Sequence, residues 1–184
     1  MLGVSAALLG LSLFGDPVET RLRYDRSLIG TGELWRLITG HVVHLGLRHA
    51  LLNVVGLVLV GLLFAPFITV TDWVRTSIVA ALTISAGLFW LSPTVAWYVG
   101  FSGVLHGLFV AGAMAMAGRE RTLAILLLIG LAGKLFFEQV AGPVPGSEQT
   151  AGGPVIVDAH LYGAIGGWLA ATLGRVLKGG IRRL

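Results

Sequence analysis

The longest uncharged stretch of the sequence sets the strongest limit on how this chain can fold. Residues 76 to 118 contain no Asp, Glu, Lys or Arg. As one helix, at about 1.5 Å per residue, they would reach roughly 65 Å. The apolar core of a bilayer is only about 30 Å thick, so the stretch must cross a membrane twice. Ser92-Pro93 is the strong helix breaker within it, which predicts spans over residues 74–91 and 101–117.

The whole composition agrees with a membrane protein. Charged residues make up 12% and hydrophobic residues 55% of the chain, whereas a soluble domain has about 25% charged residues. Four further apolar stretches predict spans over residues 1–14, 49–71, 121–138 and 156–177, the first of them short for a span. We therefore predict an all-α membrane protein, a six-transmembrane-helix bundle forming one domain over residues 1–184. Lys134 interrupts the fifth span, and we expect it to reach the membrane surface or to form a structural pair with Glu138, one turn on.

Several classes of function are excluded by residue types. The absence of cysteine excludes disulfide scaffolds, zinc ribbons and thiol nucleophiles. The net charge of +4 comes from basic residues near chain ends and in loops, so we expect lipid rather than nucleic acid beside this chain. The excess of basic residues favours cytoplasmic termini. In that orientation the cytoplasmic basic residues are Arg75, Arg119, Arg121, Arg175, Lys178, Arg182 and Arg183.

Polar residues fall at one depth of the predicted bundle. In the topology above, the second, fourth and sixth helices all run from outside inward. Near their outer ends lie His49 with Asn53, then Ser102, then His160. Polar groups within a membrane are costly unless they are paired, and such groups are functional candidates by default.

Two rows of small residues predict which helices touch. Residues spaced four apart are Gly103, Gly107, Ala111 and Ala115 on the fourth helix, and Ala159, Gly163, Gly167 and Ala171 on the sixth. Small residues at this spacing let helix backbones approach closely in lipid. If the two rows face each other, Ser102 and His160 meet. The alternative is that such rows reflect ordinary packing alone.

A serine beside an imidazole indicates nucleophilic catalysis. A neutral His160 could remove the Ser102 proton. Asp158 does not share a helix face with His160, so we expect a Ser-His dyad without a third member. An oxyanion could be held by the Ser102 amide at a helix start, and by His49 and Asn53, spaced i, i+4 on one face. Alone, the short G-x-S-G at residues 100–103 is weak support.

The remaining histidines are candidates for the base or for metal ligands. His106 lies one turn below Ser102 on the same helix, so we expect it to support His160 by stacking or hydrogen bonding rather than to act as the base. His41, His44 and His49 could form a metal site, but no H-E-x-x-H spacing is present. We expect no metal and no cofactor. The alternatives are a haem- or metal-binding protein using His49, His106 and His160, and an inactive helix-binding protein.

Three segments together resemble a known family. They are Trp35-Arg36 followed by His44 and the His49-x-x-x-Asn53 pair, then GFSGVLHG over residues 100–107, then DAHLYGAIGG over residues 158–167. Over nearly its whole length the chain resembles the rhomboid intramembrane serine proteases, and within them the compact bacterial rhombosortases.

The resemblance implies a specific site and substrate. It implies a rhomboid-like six-helix fold in which Ser102 is the nucleophile, His160 the base, and His49, Asn53 and the Ser102 amide the oxyanion hole, reached past the fifth helix. Many rhomboids have an aromatic residue where this chain has His106. The branch implies a bacterial inner-membrane enzyme, opening outward, whose substrates are exported proteins with a Gly-Gly motif and a C-terminal helical anchor. The Gly/Pro-rich segment 139–155 would be a mobile cap over the site or an ordinary connection.

Overall fold

The structure is a computed structural model that describes residues 2–181. In this part of the chain, ten helices and two very short strands follow one another. In order they are α1 (Leu2–Ser12), α2 (Asp16–Leu22), β1 (Tyr24–Asp25), α3 (Arg26–Gly30), α4 (Arg36–Thr39), α5 (Leu47–Phe64), α6 (Val70–Trp90), β2 (Trp97–Tyr98), α7 (Ser102–Met116), α8 (Arg121–Ala141), α9 (Ser147–Ala151) and α10 (Val157–Ile181). The chain is a mostly helical membrane protein.

A helix lies at each of the six predicted spans, but the helices differ in length. Within residues 2–181, α5, α6 and α8 are long and apolar enough to cross a membrane. The bent pair α1 and α2, joined at 116°, would make a fourth crossing. The 15 residues of α7 are short for a span, which typically needs about 20. The count of six crossings stays a prediction.

The long connection between α2 and α5 is built around a buried guanidinium. Arg36 is 4% exposed. It donates hydrogen bonds to the Glu33 carboxylate at 2.6 Å, to the Arg23 carbonyl at 2.8 Å and to the Thr20 carbonyl at 3.0 Å. A charge buried this deeply is tolerated because it is paired and hydrogen-bonded. Arg36 therefore belongs to the scaffold of this connection.

The same connection is tied to the segment that leads into α7. Strands β1 and β2 pair antiparallel, with Tyr24 opposite Tyr98 and Asp25 opposite Trp97. The pairing holds the chain before α7 against the connection between α2 and α5. It thereby fixes where α7 begins.

Helices α7 and α10 approach each other backbone to backbone. A Cβ added at Gly103 would lie 2.7 Å from the Ala159 carbonyl oxygen, and one at Gly107 would lie 2.7 Å from the Gly163 carbonyl oxygen. In the reverse direction, a Cβ at Gly163 would overlap the Gly103 carbonyl. The prediction that the two rows of small residues face each other is confirmed. The N-terminal ends of these two helices are therefore held together.

Where α6 begins and where α10 ends, basic side chains bond to nearby groups. Arg75 donates to the Asp72 carboxylate at 2.7 Å, and Arg175 donates to the Met114 carbonyl at 2.8 Å. Of the residues predicted to be cytoplasmic, Arg182 and Arg183 lie outside the described residues.

Candidate active site

The N-terminal ends of α7 and α10 bring a hydroxyl and an imidazole together. Ser102 is the first residue of α7, and His160 lies in the first turn of α10. The Ser102 Oγ is 3.0 Å from the His160 Nε2, a hydrogen-bonding distance. The imidazole is 6% exposed. Both residues were selected from the sequence, and the close packing of the two helices is what makes them meet.

The loop that precedes Ser102 is held in an unusual conformation. Gly100 has a φ of +119°, which L side chains rarely adopt. Its amide donates to the Gly40 carbonyl at 3.0 Å, and the Tyr98 hydroxyl donates to its carbonyl at 2.6 Å. A side chain here would also meet the His49 ring, since an added Cβ would lie 2.9 Å from the His49 Cε1. The loop is thus fixed against α5.

His44, in the connection between α2 and α5, holds the same loop from the other side. Its Nε2 accepts a hydrogen bond from the Phe101 amide at 3.4 Å. Burial, together with the neighbouring His49, lowers the pKa of His44 to about 3. His44 is therefore neutral at physiological pH, and can act as an acceptor. It belongs to the support of the loop rather than to a metal site.

His49 and Asn53 share the face of α5 that looks toward this loop. The His49 Nδ1 accepts from the Leu45 amide at 3.4 Å, so a neutral ring carries its proton on Nε2, the nitrogen nearer Gly100. The Asn53 Nδ2 donates to the His49 carbonyl at 3.1 Å. Both side chains are buried. The structure thus places His49 beside Gly100, in the loop before α7, and Asn53 one turn further along α5.

His106 lies beneath the imidazole of α10, as its predicted supporting role requires. The rings of His106 and His160 stack with centroids 4.3 Å apart and an interplanar angle of 17°. The His106 Nδ1 is 2.8 Å from the Ser102 carbonyl oxygen, which can only accept, so Nδ1 carries the proton. With Gly103 and Gly163 between the helices, His106 fixes the position of His160.

A carboxylate from α8 completes the surroundings of His160. The Glu138 Oε2 and Oε1 lie 3.0 and 3.2 Å from the His160 Nδ1. Glu138 is 2% exposed and also accepts from the Lys134 ammonium at 2.8 Å. The spacing of these two residues predicts their pairing with each other but not their contact with the imidazole.

Asp158 does not take this place. Its Oδ2 accepts from the Ser92 hydroxyl at 2.5 Å, and that hydroxyl lies 3.0 Å from the Tyr162 hydroxyl. Asp158 thus fastens the start of α10 to the end of α6. This agrees with the prediction that residues at i and i+2 on a helix face different neighbours.

The arrangement of the histidines does not favour a metal site. His41 bonds through Nε2 to the Ser85 hydroxyl at 3.0 Å, and burial lowers its pKa to about 4. Among residues 2–181, the atoms that could bind one ion together belong to His106, Glu138 and His160, within 4.8 Å of one another. The Lys134 Nζ lies 2.7, 2.8 and 3.2 Å from these three groups. A resident ammonium therefore occupies the position a metal cation would need.

The Gly/Pro-rich segment contains a short helix, α9, which packs beside the start of α5. Ala151 is buried, and a Cβ added at Gly153 would lie 2.6 Å from the Leu45 Cδ1. The Glu148 carboxylate accepts from the Val155 amide at 3.3 Å. The segment therefore covers the region next to His49. Its role as a mobile cap stays a prediction.

The helical membrane fold sets a serine hydroxyl against a histidine, the pairing that serine hydrolases use to activate their nucleophile. The family model of the Rhomboid domain matches residues 31–176. The chain belongs to the rhomboid family, whose members are intramembrane serine proteases that act on transmembrane substrates. Among curated proteins the sequence finds no match.

Proposed function

We propose that this chain is a serine endopeptidase that cleaves a peptide bond of a membrane-anchored protein, with Ser102 as nucleophile and His160 as base. The 3.0 Å contact between the Ser102 Oγ and the His160 Nε2 carries the proposal. As Oγ bonds to the scissile carbonyl carbon, Nε2 takes its proton and then gives it to the leaving amine. A water molecule next attacks the acyl group and loses a proton to Nε2. Oγ leaves, takes up that proton, and the new carboxyl end is released.

The oxyanion formed in each step would be held by donors around the loop before α7. The Ser102 amide is at a helix start, where backbone N–H groups have no intrahelical acceptor and the helix dipole favours negative charge. His49 offers the proton on Nε2, and Asn53 offers its carboxamide N–H. Such donors stabilise the transition state because they are oriented before charge develops.

The substrate is proposed from the resemblance to rhombosortases. Exported proteins with a C-terminal Gly-Gly motif and a helical anchor fit the chemistry, because glycines let a helix unwind cheaply and expose its carbonyls near the bilayer edge. In this proposal six helices cross the bacterial inner membrane, namely α1, α5, α6, α7, α8 and α10. The termini are cytoplasmic, the site opens outward, and substrate reaches it past α8.

The test compares wild type with Ser102→Ala on a reporter that carries a Gly-Gly tail and helical anchor. A fluorophosphonate probe should label the wild-type protein and not Ser102→Ala. Ser77→Ala, the same change in the middle of α6, is the matched control and should behave as wild type in both assays. Equal processing by wild type and Ser102→Ala would contradict the proposal and would favour a helix-binding protein without protease activity.

A further inference from the structure

We propose that Glu138 is a positioning residue for His160, so that the site is a Ser102–His160–Glu138 triad in which Lys134 holds the carboxylate in place. The inference rests on the proposed protease function and adds a third member to the expected dyad. Its basis is geometric. One carboxylate touches the imidazole nitrogen opposite the one that faces the serine, at 3.0 Å, and the groups come from three different helices.

One assignment of protons satisfies the contacts of His160 with both Glu138 and Ser102. The Glu138 carboxylate can only accept, so the His160 Nδ1 must carry the proton. The Nε2 is then bare and can accept from the Ser102 hydroxyl at 3.0 Å. Without a carboxylate at Nδ1, the ring could place its proton on Nε2 instead, and the base would be blocked. Glu138 therefore selects the tautomer that the reaction needs.

Lys134 fixes the carboxylate from its other side. Because the His106 Nδ1 donates to the Ser102 carbonyl, the His106 Nε2 accepts from the Lys134 ammonium at 2.7 Å. The same ammonium donates to the Glu138 Oε2 at 2.8 Å. The hydrogen bonds form a closed ring. It runs from the Ser102 carbonyl through His106, Lys134, Glu138 and His160 back to the Ser102 hydroxyl. Every group in the ring has a partner, which is the condition for keeping charges in a membrane.

The charges in the ring explain why a carboxylate is required. The Lys134 Nζ is only 3.2 Å from the His160 Nδ1. When His160 takes the serine proton it becomes positive, and the nearby ammonium would oppose that step. The Glu138 carboxylate is at least as close to the ring, so it balances the ammonium and stabilises the imidazolium. Lys134 alone would hinder the base; Lys134 with Glu138 does not.

A purely structural role for the pair predicts different mutant behaviour. If Glu138 only neutralises Lys134, then Glu138→Gln is harmful because it leaves an unpaired ammonium in the membrane, and removing both charges repairs the damage. If Glu138 positions His160, the double variant Lys134→Met/Glu138→Gln repairs folding but not catalysis. The double variant is therefore the decisive protein.

The experiment measures the melting temperature, kcat and KM on the Gly-Gly reporter. We expect kcat of Glu138→Gln to fall by about 10²- to 10⁴-fold, with KM nearly unchanged. The double variant should melt close to wild type and keep the low kcat. Glu138→Asp retains the carboxylate and should regain at least about 10-fold of the loss. Glu120→Gln, the same change at the exposed start of α8, is the matched control.

The outcomes separate this inference from the proposed function. If wild type depends on Ser102 but the double variant regains wild-type kcat, the triad is wrong and the pair is structural. A Glu138→Gln variant with wild-type kcat would refute it equally. If wild type and Ser102→Ala process the reporter equally, the protease function itself fails, whatever Glu138 does.

Discussion

Gly107→Ala tests whether the approach of α7 and α10 sets the geometry of the site. The added methyl would lie 2.7 Å from the Gly163 carbonyl oxygen and 2.8 Å from the Ala80 Cβ. Ordinary contact begins at 3.4 Å, so the backbones must separate by about 0.7 Å. Because Ala80 of α6 lies on the other side of the methyl, α7 cannot absorb the displacement by moving toward α6.

The displacement is large relative to the hydrogen bond it disturbs. Ser102 and His160 are 3.0 Å apart, so a separation of about 0.7 Å would bring them to about 3.7 Å. That is beyond the range of about 2.5–3.0 Å typical of hydroxyl hydrogen bonds and about 3.2 Å for N–H···O. A misplacement of about 1 Å can reduce a rate by about 10²-fold. Overpacking of this kind costs about 1–3 kcal/mol of stability.

The assay is the rate at which a fluorophosphonate labels Ser102 in detergent, together with the melting temperature. We expect labelling of Gly107→Ala to be about 10- to 100-fold slower than that of wild type, in protein that remains folded below its lowered melting point. Gly10→Ala is the matched control, because a Cβ at Gly10 in α1 would meet nothing within 4 Å. If Gly107→Ala is labelled as fast as wild type and melts at the same temperature, the reasoning is refuted.

Three further expectations concern single contacts. His49→Ala removes a proposed oxyanion donor and should lower kcat by about 10²- to 10³-fold with little change in KM. Burial lowers the pKa of His41 to about 4 and of His44 to about 3, so the folded protein binds fewer protons than the unfolded chain below pH 6.5. The free energy of unfolding should fall by about 2 kcal/mol for each of these two histidines between pH 7 and pH 5. In thermal melts, His41→Gln should remove the part of this loss that is due to His41, about half of the sum for the two. Arg36→Met removes the buried guanidinium together with its hydrogen bonds and should lower the free energy of unfolding by about 2 kcal/mol or more, seen as a lower melting temperature. An unchanged melting temperature would contradict the role of Arg36 in the scaffold.

The sequence predicts the pairing of α7 with α10 because that pairing is encoded by spacing. Small residues four apart mark a helix face, and two such faces can approach until backbones touch. Ser102 and His160 stand at the outer ends of these faces. Their meeting therefore follows from the pattern, and the structure has them 3.0 Å apart.

Glu138 was missed because its partner depends on the rotation of a whole helix. The spacing of Lys134 and Glu138 indicates a pair within α8, and nothing in that spacing tells which face of α8 meets α10. A signal was nevertheless present. Glu138 lies near the outer end of its helix, at the depth predicted for Ser102 and His160, and a carboxylate at that depth is a functional candidate by default.

The first helix differs from the prediction for a local reason. The 11 residues of α1 end before Gly15, whose φ of +68° turns the chain, and a proline in the first turn of α2 starts a new direction. Apolar composition over residues 1–14 indicates a membrane segment but not where it bends. The angle between α1 and α2 is 116°.

Among residues 2–181, three helices are long and apolar enough to cross a membrane, and α8 is the least enclosed of them. In its most apolar 18-residue window 17% of the residues are buried, against 28% for α5 and 39% for α6. It also carries the carboxylate that contacts His160. An outward tilt of α8 that admitted a substrate helix would withdraw Glu138 from the imidazole, and its return would restore the contact. In the proposed protease, substrate admission and the positioning of His160 would then alternate, because both depend on where α8 lies.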